Sequence, residues 1–149
     1  MDHCAGVCLS DILRKKRKLD VDTVRVYAAE IVLALEYLHS KNIIYRNLQP
    51  DSIFFDAKGH VMITDFGLAK QSNADSLNYT TCGIVDYIAP EMIMQRGHTF
   101  TIDWYHLGAL IYEMLVGVPP YFAQGYKQKM QNIQSGALRI PKSMPEDAR

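Results

Sequence analysis

The sequence predicts a mainly α domain of the α+β type, with small β-hairpins at one edge and a buried helix at its centre. Three features carry that expectation. Val24, Tyr27, Ala28, Ile31, Val32, Leu35 and Leu38 recur in steps of three and four, which draws one apolar stripe down a helix. Residues 102–116 are apolar on nearly every side, apart from Asp103, His106 and Glu113, as suits a helix enclosed by the rest of a domain. Between them lie the short β-prone runs Ile43-Ile44, Ile53-Phe54-Phe55 and Val61-Met62-Ile63.

From the amino end, Leu9 to Arg17 reads as a short helix. Asp20 is a suitable N-cap for the long helix, which runs to about Ser40. Asp56-Ala57-Lys58-Gly59 forms a turn between two β-prone runs and predicts a hairpin. Residues 66–88 are mixed and polar without a sustained period, a long loop of the kind that serves function. The central helix ends at Gly117, ahead of Pro119-Pro120. A weaker helix follows from about Lys127 to Gln134 and closes at Gly136. A small two-hairpin sheet is expected at the edge, and Leu107, Leu110, Ile111 and Met114 are expected deep in the core.

Composition narrows the function. The chain has 149 residues, 48% of them hydrophobic, which suits one globular domain. Its formal net charge is zero, so no global field steers it to nucleic acid or to acidic membranes. No apolar run reaches the ~18 residues of a membrane span. No secretory signal opens the chain, since Asp2 and His3 follow Met1 directly. Cys4, Cys8 and Cys82 lack a zinc-type spacing and read as reduced thiols in an intracellular protein, cytoplasmic or nuclear. The run Arg14-Lys15-Lys16-Arg17-Lys18 reads as a solvated connection between helices, with a nuclear-localisation or nucleic-acid patch as the sharper alternative.

Four motifs then occur in a telling order. Tyr45-Arg46-Asn47-Leu48-Gln49-Pro50-Asp51-Ser52 resembles a protein-kinase catalytic loop. Asp65-Phe66-Gly67 follows the hairpin, Ala89-Pro90-Glu91 follows the long loop, and Asp103-Trp104 opens the central helix. Over its whole length the chain resembles the large, helical C-terminal lobe of a eukaryotic serine/threonine protein kinase. Tyr27-Ala28-Ala29-Glu30-Ile31, Leu35-Glu36-Tyr37-Leu38-His39, Tyr45 and Thr81-Cys82-Gly83 point to the AGC group, the relatives of cyclic-nucleotide-dependent kinases and protein kinase C.

The resemblance assigns roles by position, and the catalytic ones are filled by the wrong residues. Asn47 stands where the family has the Asp that orients the substrate hydroxyl and accepts its proton; an amide oxygen is a feeble base. Gln49 replaces a Lys that steadies the moving phosphate, and Ser52 an Asn that holds the second magnesium ion. Ile84 replaces a Thr that bonds to the catalytic Asp and Lys. A general base alone contributes about 10²–10⁴ in rate, so losing base, cation and metal ligand together predicts no useful turnover.

Other positions keep their residues. By the resemblance, Asp65 can still ligate magnesium, and Thr64 precedes it as in many AGC kinases. Arg46 and Lys70 are placed to meet a phosphate on the activation loop, with Thr80 as its acceptor. Asp51 and Glu113 fall where AGC kinases grip basic substrate side chains; the third acidic position is Cys8 here, which weakens that grip. Remnants of an ATP site fall on Asp2, Cys4, Phe54 and Thr64. Magnesium and ATP are thus implied by the family but are not expected to bind this chain alone, because no G-x-G-x-x-G occurs in it.

The expected domain is therefore a partial protein kinase domain over 1–149. It runs from the hinge through the segment after the central helix, with the small lobe and final helices absent. Three functions fit the sequence. The leading one is a pseudokinase-like binding or regulatory module with a protein partner, including a basic peptide, and with neither nucleic acid nor membrane. The second is a fragment of an active serine/threonine kinase, which an upstream Gly-rich loop and a Val-Ala-x-Lys strand would favour. The third is a non-functional truncation, which would express poorly and bind nothing.

Overall fold

The computed structural model describes residues 6–73, 76–136, 138–142, 144 and 146–148. Helix α1, Leu9–Lys16, turns Leu9 and Leu13 into the core. The chain then reverses into α2, Val21–Ser40. Asp20 starts that helix as expected, accepting the backbone N–H of Thr23 at 2.8 Å and its hydroxyl at 2.7 Å. Val24, Ile31 and Leu35 form its buried edge.

The strands are short. Ile43–Ile44 is β1, Ile53–Phe55 is β2, Val61–Ile63 is β3 and Lys70–Gln71 is β4. β2 and β3 make the expected hairpin, with Ile53 opposite Ile63. Asp56 shapes its turn by accepting the N–H groups of Lys58 and His60, both at 2.8 Å. Glu30 of α2 clamps the hairpin from behind, accepting from His60 Nδ1 and from Val61 N–H at 2.7 Å each.

The second hairpin does not form. β1 pairs antiparallel with β4 instead, Ile44 opposite Lys70, across residues 45–52 and the first hairpin. There are accordingly two separate two-stranded sheets. Lys70–Gln71 lacks an apolar alternation of its own; the edge of β1 recruits it.

After the long loop come the short helix α3, Pro90–Ile93, the central helix α4, Thr101–Val116, and α5, Tyr126–Ser135. Gly136 closes α5 in the left-handed conformation. Leu107, Leu110 and Met114 of α4 are buried, whereas Ile111 is only half-buried. Ile111 borders an open apolar groove of about 330 Å³ with Leu115, Tyr121 and Ile140. α4 ends at Gly117, φ 92°, whose N–H returns to the Glu113 carbonyl at 2.7 Å. A Cβ there would sit 2.6 Å from the Arg17 carbonyl oxygen, so this close approach needs glycine. Among the described residues no helix is long and apolar enough to cross a membrane.

Candidate functional site

The site hangs from one buried carboxylate. Asp103, fully buried at the start of α4, accepts the backbone N–H of Tyr45 at 2.9 Å and of Arg46 at 2.8 Å, and bonds His39 Nε2 at 2.8 Å. These bonds hold Arg46 in the left-handed region, φ 63°, where a non-glycine residue needs support. The chain thereby bends so that Asn47, Gln49 and Ser52 all turn inward and are buried. Pro50–Ser52 form a single 3₁₀ turn with Pro at its start.

Asn47 meets Asp65 directly. Its Nδ2 donates to the Asp65 carboxylate at 2.9 Å and to the Asp65 carbonyl at 3.1 Å. Its Oδ1 accepts from Gln49 Nε2 at 3.3 Å. Both ends of the amide are engaged, and its oxygen, which already accepts from Gln49, is a feeble base. Asp65 is also left-handed, φ 51°, and its other oxygen accepts Gly67 N–H at 3.3 Å. The Ser52 hydroxyl is spent locally: it donates to the Gln49 carbonyl at 2.9 Å and accepts Gln49 N–H at 3.2 Å.

This donor set does not suit a pair of magnesium ions, which take oxygen ligands. Asp65 offers a carboxylate, but an amide N–H₂ points at it and the Ser52 oxygen is turned away. Among the described residues no group of three or more His, Cys, Asp or Glu is arranged to hold a metal.

The remaining expected residues are spread over the fold. Ile84 is 47% exposed and edges a small recess with Asn47, Gln49 and His106. Phe54 and Thr64 belong to the hairpin: Phe54 pairs with Met62 and bridges to Cys8, while Thr64 N–H donates to the Ser52 carbonyl at 2.9 Å. The Thr64 carbonyl accepts the Tyr45 hydroxyl. Asp2 and Cys4 lie outside the described residues. Cys8 is buried, its thiol donating to the Pro50 carbonyl at 3.3 Å.

Asp51 and Glu113 come together on one wall, bordering a depression of about 340 Å³. Burial, then the charges of Asp86 and Asp51, push the Glu113 carboxyl up to about 7. Glu113 Oε2 is buried and has no partner among the described residues. Asp86 was not anticipated. It joins the acidic wall but is held by Lys129 of α5, whose Nζ lies 2.6 and 2.8 Å from its two oxygens. Nothing in the sequence pattern links residues 86 and 129; only the docking of α5 brings them together.

Arg46 and Lys70 mark another region, near the loop that carries Thr80. Arg46 Nε donates to the Leu68 carbonyl at 2.7 Å, while its Nη1 is buried without a partner among the described residues. Lys70 and Thr80 are exposed. Two further histidines were also not assigned a role. His98 is buried beside Arg46 and Lys70, and burial followed by those two cations lowers its pKa. His106 is buried under the recess, where burial pushes it down to about 4. A histidine inside a helix that is apolar apart from Asp103 and Glu113 was the available signal for the second.

Comparison with known proteins agrees with this architecture. Residues 1–148 match the protein kinase domain family. The chain is 42% identical over 149 residues to "Protein kinase 2" of Dictyostelium discoideum, covering 100% of this chain and 31% of that protein. It is 43% identical over 148 residues to "cAMP-dependent protein kinase type 3" of Saccharomyces cerevisiae, covering 99% and 37%. It is 42% identical over 148 residues to the "cAMP-dependent protein kinase catalytic subunit" of Dictyostelium discoideum, covering 99% and 22%. The chain thus spans 22–37% of the length of these curated relatives. The match along the chain, together with the loop that Asp103 organises beneath Asp65, places the chain in the protein kinase domain family.

Proposed function

We propose that this chain is the large lobe of a kinase-family domain that works by binding, as a pseudokinase-like module, without phosphotransfer. One observation carries the reading: the Asn47 amide is closed between Asp65 and Gln49. A kinase needs a carboxylate there to receive the substrate proton, and a cation at position 49 to stabilise transferring phosphate. Here an N–H₂ group faces the metal-ligating carboxylate, and a neutral amide sits behind it. ATP and magnesium are bound weakly or not at all by this chain.

The ligand that the surface favours is a basic peptide from a protein partner. Asp51 and Glu113 supply its acidic contacts, and Lys129 already neutralises Asp86. The setting we infer is the cytoplasm or nucleus, without nucleic acid or membrane. The test is a radiolabelled ATP assay with a basic serine/threonine peptide, run beside peptide binding. Binding without transfer supports the module. Transfer that disappears in Asp65→Ala would overturn it.

A second reading, a piece of an active serine/threonine kinase, draws on the retained Asp65 and the Asp103 scaffold and on relatives named as protein kinases. The same assay separates the two. Phosphate on Thr80 is the proposed regulatory input, with Arg46 and Lys70 as its readers. Its measure is slower proteolysis of the loop in the phosphorylated chain, lost in Arg46→Ala.

A further inference from the structure

Two buried nitrogens have no partner among the described residues: Arg46 Nη1 and His98 Nε2. Arg46 is 8% exposed and His98 2%. A buried guanidinium nitrogen without an acceptor is costly, and buried charge is normally paired. An imidazole beside it, with its own nitrogen unused, marks the same place as short of an acceptor.

The surrounding chain fixes both groups. Arg46 is held by Asp103 through its backbone and by the Leu68 carbonyl through Nε. His98 exchanges two backbone hydrogen bonds with Asn78, at 3.0 and 2.8 Å. That bridge anchors the loop two residues before Thr80. Three residues after Thr80, Gly83 lies against the Arg46 carbonyl, where an added Cβ would stand at 3.6 Å. Thr80 is therefore strung between an anchor on His98 and an anchor on Arg46.

The charged groups that act on His98 are Arg46 from the catalytic loop, Lys70 from β4 and Asp103 from α4. The neighbouring His106, also on α4, is coupled to it. The single carboxylate among these, Asp103, is already engaged by three donors. Two cations against one satisfied carboxylate leave a site that favours an added anion. A phosphate monoester, with about −1.5 to −2 charges and three acceptor oxygens, matches several converging donors.

We propose that His98 joins Arg46 and Lys70 as a ligand of a phosphate carried on Thr80, and takes up a proton as that phosphate enters. The proposal rests on the Thr80 reading above. The phosphate comes from ATP by way of a separate protein kinase: the Thr80 oxygen forms the new P–O bond, the bond to ADP breaks, and the hydroxyl proton leaves to solvent. Without it, the ring stays neutral because it is buried between cations. With it, the added negative charge favours the imidazolium, which donates from Nε2. The loop is then held more tightly at mildly acidic pH than above neutrality.

The experiment follows the His98 ring signals by NMR from pH 5 to 8.5 in the full chain, with threonine or encoded phosphothreonine at position 80. Loop proteolysis is measured alongside. We expect the His98 midpoint to rise at least about tenfold in proton affinity on phosphorylation. Loop protection should fade above the new midpoint, and His98→Gln should keep partial protection with no pH dependence. Protection without a shift in His98 overturns the ring's role while leaving the Thr80 reading intact. Neither protection nor shift removes both. An equal shift produced by inorganic phosphate in the unmodified chain would overturn Thr80 as the source. If Arg46→Ala fails to fold, Lys70→Gln, on the exposed strand, serves in its place: a smaller rise in the midpoint is expected, and an unchanged one counts against the shared site.

Discussion

Asp103 Oδ1 accepts the backbone N–H of Arg46 at 2.8 Å, and this bond across 57 positions of sequence shapes the whole loop that follows. Asp103→Ala would strand that N–H, the Tyr45 N–H and His39 in a dry interior. Loss of one partner from a buried charged network costs about 3–5 kcal/mol. Urea denaturation of the variant should show a loss in that range. A loss below ~1 kcal/mol would mean that the loop holds its bend without Asp103.

Leu107→Ala tests the central helix. The side chain is buried in the main core cluster, which includes residues of α1, α2 and the 45–52 segment. A large-to-small change there should cost about 2–5 kcal/mol. Ile111→Ala, facing the open groove, should cost less than Leu107→Ala by the same measurement.

Asn47→Asp places a second carboxylate within hydrogen-bonding distance of Asp65. The new pair loses two N–H donors and gains repulsion, which raises the pKa of one member. A raised folded pKa makes stability greatest below the unfolded carboxylate value and lets it fall as pH rises. The variant should therefore fall further behind the parent at pH 7.5 than at pH 5, in thermal melts. Magnesium should narrow the gap in the variant more than in the parent.

Introducing the four residues that the resemblance implies, Asn47→Asp with Gln49→Lys, Ser52→Asn and Ile84→Thr, should leave this 149-residue chain without phosphotransfer. It carries no Gly-rich loop to cradle the nucleotide phosphates. Turnover by the quadruple variant on its own would refute that account of ATP binding.

Glu113 gives a pH signature of its own. Its folded value of about 7 lies above the ordinary 4.5. The native state therefore holds the proton more tightly, and stability declines as pH rises from about 4.5 to about 7. Glu113→Gln should flatten that decline and gain on the order of 1 kcal/mol above pH 7, after allowing for solvent screening. Equal pH profiles for the two proteins would show that Glu113 is better solvated than its position implies.

The long periodic helices and the hairpin were legible because their patterns are local: the 24–38 stripe, the Asp20 cap and the Asp56 turn each lie within a few residues of what they specify. β4 was not, since Lys70–Gln71 becomes a strand only by lying against β1. At the site, the motifs singled out Asn47, Gln49, Ser52 and Asp65, and the fold joins Asn47 to Asp65 and Gln49, and Ser52 to Gln49. The motifs did not disclose that the Asn47 amide would be used at both ends. Asp86, Lys129 and His98 escaped for a different reason: each gains its meaning from a neighbour on another element. Ile111 was expected at depth because an apolar helix looks buried on every face, yet the groove beside it stays open.

The junction at Gly117 bears on how the basic run can be addressed. Arg14, Lys15 and Lys16 form the last turn of α1, and Arg17 N–H returns to the Leu13 carbonyl at 2.7 Å. The Arg17 carbonyl lies against Gly117, and Leu19 N–H is bonded to the Met114 carbonyl at 2.7 Å. The cations are thus displayed on a wound and docked backbone, not on a pliant tether. A receptor that reads basic residues as an extended strand would have to unwind α1 and pull Leu19 off the end of the central helix, so the price of being read that way is partial unfolding.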